Sequence, residues 1–194
     1  METSRVLEVI RRHAYQLFLT IALLSCMGCV SMLRIDGPYE GRVIDAGTNQ
    51  PIEGAVVHGT WYKVEPTPAG RSSTYYNSTE MLTDRNGEFK IPGQGLLVFS
   101  KIDGMHLTIF KAGYEGLAPS IWRGLKKWKI NDKITWDGDK GTIKLKRMTL
   151  EERRKRLIST PVGVPDKKEK LLRKECNREN IEIGRPKSTL YPEE

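Results

Sequence analysis

Across residues 41–93 the chain reads as strands separated by turn residues, and no helical period fits. Residues 41–46 alternate, with Val43 on one face and Arg42 and Ile44 on the other. Residues 47–51 end that strand, because Gly47 and Asn49 tolerate positive φ and Pro51 lacks a ladder N–H. Residues 55–64 resume a β pattern rich in branched and aromatic side chains. Residues 65–77 are predicted to form a long polar loop of the kind that often carries binding contacts. Asp84 then sits between two short apolar runs, placed to accept from N–H groups two residues on. Asn86 and Gly87 supply the positive φ of a tight hairpin. Pro92 and Gly93 close this strand.

Further along, residues 96–99 and 105–110 predict two more strands, and residues 112–116 a turn leading to an extended piece that ends at Pro119. Residues 142–149 alternate, with Ile143 and Leu145 on one face. The lysines of this run mark it as a closing edge strand. The count is about seven short strands, which predicts a mainly β, seven-stranded antiparallel sandwich of the Ig-like kind. From Leu150 the pattern turns helical. Thr149 and Glu152 have capping-box spacing, Pro161 and Pro165 interrupt, and Asp166 is placed to cap a second helix to about Asn180. Only Leu157, Ile158, Leu171 and Leu172 are available to dock these charged helices, so they read as an appendage ending in a loose tail over 181–194.

The start of the chain has another character. Arg5, Arg11 and Arg12 precede an apolar run over 17–24, shorter than the roughly 20 residues that span a bilayer. Basic, then apolar, then small residues is the layout of a secretory signal. Leu23, Leu24, Ser25 and Cys26 resemble the bacterial lipobox, which implies cleavage before Cys26 and a lipid thioether on its sulfur. Cys29, after Gly28, is a second choice, and an uncleaved anchor is the alternative to both. Each acyl methylene buried contributes roughly 0.8 kcal/mol, so several chains hold firmly. Met27 after the lipidated cysteine implies, by the same resemblance, the outer membrane facing the periplasm in a Gram-negative cell. The chain then divides into a signal peptide (1–25), a tether (26–38), a β domain (39–149) and a basic helical extension (150–194). Cys29 and Cys176 are left as one possible bridge.

Gly41, Val43, Asp45, Pro51, Ile52, Gly54, Ala55 and Val57 come first, then Thr83, Asp84, Gly87 and Phe89, then Lys111, Gly113 and Tyr114. In that order and spacing they resemble the carboxypeptidase-regulatory-like domain, of transthyretin-like topology. The resemblance covers residues 39 to about 116 well and reaches weakly to 149. It implies a folded, non-catalytic accessory or binding domain. The insert over 65–79 and the basic C-terminal part depart from the family pattern.

Nothing in the motifs points to an enzyme or a cofactor. The three histidines, His13, His58 and His106, open no metalloprotease spacing, and there is no nucleophile elbow and no P-loop. His58 and His106 read as structural or surface histidines in preference to a metal pair. Residues 137–141 read as a solvated turn in preference to a calcium loop, which needs a later bidentate acid. Charge carries more. Residues 123–156 hold 13 Lys or Arg against 5 Asp or Glu, which is the whole formal excess of +8. Trp122, Trp128 and Trp136 are interleaved there with Lys126 and Lys127. The tryptophans either pack under the last strands or meet an anionic lipid or polymer surface; export argues against nucleic acid.

Two functional readings follow. One is an envelope lipoprotein whose β-sandwich binds a protein or glycan partner, with Tyr62, Tyr75 and Tyr76 as contacts. The other is a structural tether with no ligand pocket; an uncharacterised hydrolase is a distant third. A concave aromatic site near residues 65–77 is the feature that separates the first from the second.

Overall fold

The computed structural model describes residues 11–13, 15–18, 33–122, 126, 133–158 and 160–186. The chain is mainly β, with ten strands among the described residues and a short helical C-terminal part. It divides into two units, Met1–Ile35 with Leu96–Ser100, and Asp36–Gly95 with Lys101–Glu194. In the first unit, residues 11–13 and 15–18 are helical. Strands β1 (Leu33–Asp36) and β6 (Gly95–Val98) form a two-stranded ribbon. The stretch read as the tether therefore contributes a strand.

The second unit contains two four-stranded sheets. In the first, β5 (Glu88–Ile91), β2 (Tyr39–Asp45), β10 (Lys140–Leu145) and β9 (Ile134–Asp137) lie side by side in that order. In the second the order is β4 (Gly70–Leu82), β3 (Val56–Thr67), β7 (His106–Phe110) and β8 (Leu117–Ile121). Their apolar faces meet. A Cβ on Gly59 of β3 would lie 2.8 Å from the Met105 sulfur and 3.1 Å from Cδ1 of Ile91 on β5. Val43, Ile143 and Leu145 from one sheet, and Trp61, Leu107 and Ile109 from the other, are buried.

Three sequence expectations are corrected here. The strands number more than seven, with β1 and β9 added and the extended piece expected to end at Pro119 running to Ile121 as β8, and they are not all antiparallel. Strand β10 runs parallel to β2, with Ile143 opposite Val43, and antiparallel to β9 on its other side. It is a central strand and not a closing edge. Its lysines mark the solvent-facing side of the sheet. The polar loop expected over 65–77 is the far end of a long hairpin, in which Tyr62 pairs with Tyr75 and Thr67 with Gly70. Both faces of that end are largely exposed, so its polar residues stand where water is.

The turns follow their side-chain chemistry. Asp84 Oδ1 accepts from the N–H groups of Asn86 (2.9 Å) and Glu88 (2.8 Å). Gly87 takes φ 74°, and a Cβ there would lie 2.3 Å from the Val43 carbonyl oxygen. Asn49 has φ 55°, as the turn at 47–51 requires. Asp36, at the end of β1, is buried. Its carboxylate accepts from Tyr39 Oη (2.6 Å), Trp61 Nε1 (2.7 Å) and Gln94 N (3.1 Å), joining three segments of the second unit.

The C-terminal part is a cover and not an appendage. Helix α1 (Leu150–Lys155) opens with the expected capping box, Glu152 accepting from Thr149 N at 2.8 Å. A 3₁₀ turn (Asp166–Lys168) precedes helix α2 (Lys170–Glu182). Asp166 makes no cap. The carboxylate of Glu80 on β4 does so instead, accepting from Leu171 N (2.8 Å) and Leu172 N (3.1 Å), where the helix dipole favours an anion. Leu172 and Cys176 pack with Val56 and Phe110 on the outer face of the second sheet. Strand β3 is thereby covered on both faces.

Buried acids anchor the helix. Glu175 Oε1 accepts from Ala112 N (2.9 Å), and Glu179 Oε2 from Gly113 N (2.8 Å). Glu179 is also paired with Arg153 (2.7 Å) and Arg156 (2.9 Å). Desolvation raises its carboxyl pKa, but the arginines and the Gly113 N–H outweigh this and hold it below the usual range. The inward side of the helix carries Glu175, Asn177 and Glu179, which is why its sequence shows so few apolar docking positions.

Candidate functional cleft

A cleft with a volume of about 770 Å³ opens on the outer face of the second sheet. The base is built by β3, β4 and β7, which bring Tyr62, Tyr75 and His106 onto one side. Tyr62 and Tyr75 are a cross-strand pair, and the Tyr62 and His106 rings meet edge to face at 5.1 Å. The facing wall is Thr160, Pro161, Val162 and Gly163, held down by a hydrogen bond from Tyr62 Oη to the Val162 carbonyl (3.1 Å). Ser73, Thr74 and Asp103 add polar groups to the lining, and Ala118 completes it.

Both tyrosine hydroxyls are engaged within the protein, Tyr75 Oη with Ser78 Oγ at 3.1 Å. Burial raises the Tyr62 phenol above its usual pKa, so it stays protonated at neutral pH. Burial also lowers His106, against the opposing pull of Asp103, whose Oδ2 lies 4.0 Å from Nε2. A neutral imidazole, two rings, hydroxyls and one carboxylate suit a ligand with an apolar face and polar edges.

His58 lies on the same face of the sheet and is fully buried. Its Nε2 faces the Lys168 carbonyl oxygen at 3.2 Å and its Nδ1 the Thr60 hydroxyl at 3.0 Å. The carbonyl accepts only, so Nε2 carries the proton and Nδ1 accepts from Thr60. Both nitrogens are committed to structure. Burial pushes this histidine down to about 4.

The remaining candidates are scattered. Tyr76 points to the opposite face of the hairpin from Tyr75, with Lys63 Nζ 5.2 Å from its ring centre. Trp122 is 5% exposed and sits in an aromatic cluster with Tyr39, Phe89 and Trp136, 4.8 Å from the last. It is therefore a core residue and not a partner contact. Trp136 is half-buried against it. Lys126 is paired with Asp139 at 2.5 Å, which places the turn over 137–141 in a salt bridge. Lys127, Trp128, Cys26 and Cys29 lie outside the described residues. Cys176 is a free, buried thiol, pushed up to about 12 by burial, and carries no bridge.

A second, polar depression of about 460 Å³ lies beside Lys111, Arg147, Arg153 and Arg178. These cations are bound within the protein, to Gly54 O, Tyr114 Oη, Glu179 and Glu182 respectively. Among the described residues no group of side chains is arranged to hold a metal ion, and no helix is long and apolar enough to cross a membrane. In comparisons with known proteins, the chain matches no family model, no curated protein and no solved structure.

Proposed function

We propose that this chain is a lipid-anchored envelope protein whose β domain is a non-catalytic module binding a protein or glycan partner. The observation that carries the reading is the cleft at Tyr62, Tyr75 and His106, a concave aromatic site beside the long hairpin. A purely structural tether has no need of such a site. The transthyretin-like sandwich is the finer fold we read. It is supported by two facing four-stranded sheets and by the motif residues Asp84, Gly87 and Gly113 standing in tight turns. Cys26 as the lipidated residue, with Cys29 second, and an outer-membrane location are part of the same proposal, supported by the residues around Leu23 and by Met27.

The test compares the full protein with Tyr75→Ala and His106→Ala. Calorimetry with soluble peptidoglycan fragments probes a glycan, and photo-crosslinking from Thr74 in intact cells probes a protein. Binding or a crosslink that either substitution weakens about tenfold, near 1.4 kcal/mol, is expected. No glycan heat and no crosslink in the native protein would refute the binding role.

A further inference from the structure

The apolar side of the β1–β6 ribbon is a second contact surface. Leu33 and Ile35 on β1 are 50% and 68% exposed, and Leu96 and Val98 on β6 are 66% and 51% exposed. Residues two apart on a strand share a face. Between these pairs, Arg34 is half-buried, and Asp36 and Leu97 are buried. The two strands pair, and in each of them the exposed aliphatic positions fall on one face of the strand. Phe99 extends the patch at 69% exposure and takes φ 48°, in the left-handed region that aromatic residues rarely adopt. Backbone strain of this kind concentrates at functional positions. Five large apolar side chains gathered on one small ribbon are unlike the single exposed leucines of an ordinary surface.

The position of the ribbon in the chain identifies what covers it. Leu33 follows Cys26 by seven residues and Cys29 by four. At roughly 3.3–3.6 Å per extended residue, the ribbon lies within about 25 Å of the first sulfur or about 14 Å of the second. We infer that the exposed apolar side chains of the ribbon insert into the interface of the membrane that holds the N-terminus. The inference rests on the membrane-anchor part of the proposed function. The lipid fixes the N-terminus to the surface, and Leu33, Ile35, Leu96, Val98 and Phe99 dock the ribbon against it.

The experiment uses the full-length protein, purified from membranes and reconstituted in phosphatidylethanolamine–phosphatidylglycerol vesicles. Val98→Cys carries a polarity-sensitive fluorophore, Leu96→Cys is a second position on the same face, and Ser72→Cys on the exposed hairpin is the control. Signal from the unsubstituted protein is subtracted. Nitroxide groups on the lipid chains are expected to quench positions 96 and 98 about threefold more strongly than position 72, as insertion of 5–10 Å would produce. Equal quenching at the three positions on vesicle-bound protein overturns the inference. Mass spectrometry of the N-terminus tests the lipid separately. An unmodified Met1 refutes the lipidation and leaves the ribbon to be judged by the same quenching, because the apolar leader is then retained. Failure of the protein to float with vesicles overturns both.

Discussion

Lowering the pH should loosen the C-terminal cover, and His58 sets the size of the effect. Its ordinary value of 6.5 falls to about 4 in the folded protein, because burial removes water from the charged form. The Lys168 carbonyl opposes this shift only in part. Protonation does not force a donor against a donor, since the Thr60 hydroxyl can rotate and accept. The cost is desolvation. Because the folded value is depressed, the unfolded chain binds the proton first and stability rises with pH across this window. The contribution is complete above the unfolded value of 6.5 and is lost as pH falls towards 4. The difference corresponds to roughly 3 kcal/mol in the limit, with roughly 1 kcal/mol lost by about pH 5.5 and most of the rest by about pH 4.5. That is a large part of the 5–15 kcal/mol that holds a typical domain.

Urea unfolding of the native protein and of His58→Gln, each at about pH 7.5 and about pH 4.5, isolates the contribution of His58. Acids such as Glu179 titrate in both proteins and cancel in the difference between them. The native protein should lose roughly 2 to 3 kcal/mol more than the variant over this interval. Equal pH dependence in the two proteins would refute the assignment of a buried, neutral histidine. A greater loss in the variant would reverse its sign.

Glu179→Gln keeps the shape of the side chain, takes the counter-charge from Arg156 and leaves Arg153 with Glu182 alone. It should cost about 3 kcal/mol in urea unfolding, the lower end for breaking a buried pair, and a cost under about 0.5 kcal/mol would refute the role of that acid as anchor. Cys176, raised to about 12, should resist thiol reagents in the native state and react at once in denaturant; rapid native labelling would mean that helix α2 does not cover β3.

Turn chemistry was legible in the sequence because it is local. Asp84, Asn49, Gly87 and the Thr149–Glu152 box do what their types demand within four residues of themselves. The places where the pattern misled have a common cause. The end of the 65–77 hairpin runs beyond the core, so burial leaves no alternation to read there. The lysines of β10 face water above a central strand, and their pattern is the same as on an edge. Helix α2 buries Glu175 and Glu179 against N–H groups of residues 112 and 113, about sixty positions away, and a hydrophobic pattern carries no trace of such a partner. Tyr62 was visible as an aromatic residue on a predicted strand, and Tyr75 as one in the predicted polar loop. His106 and Pro161 had no local signal that they would meet them.

The cleft and the stability of the cover share one segment. Val162, bound by Tyr62, lies six residues before Lys168, whose carbonyl holds His58, and helix α2 follows directly. One wall of the cleft is therefore a sheet with its own ladder, and the other is a connecting strip held at Tyr62 and at His58. A ligand touching both walls adds its binding energy to the folded state alone, so it must stabilise the strip by RT ln(1 + [L]/Kd). Ligand binding and histidine neutrality then act on the same strip in the same direction. Protonation keeps the Nε2–H bond to the Lys168 carbonyl but leaves a charge without water under the cover, so acid favours lifting the strip, and the affinity of the cleft should fall over the same pH range as stability. A ligand that binds without this pH dependence would have to rest on the tyrosine pair and the sheet alone.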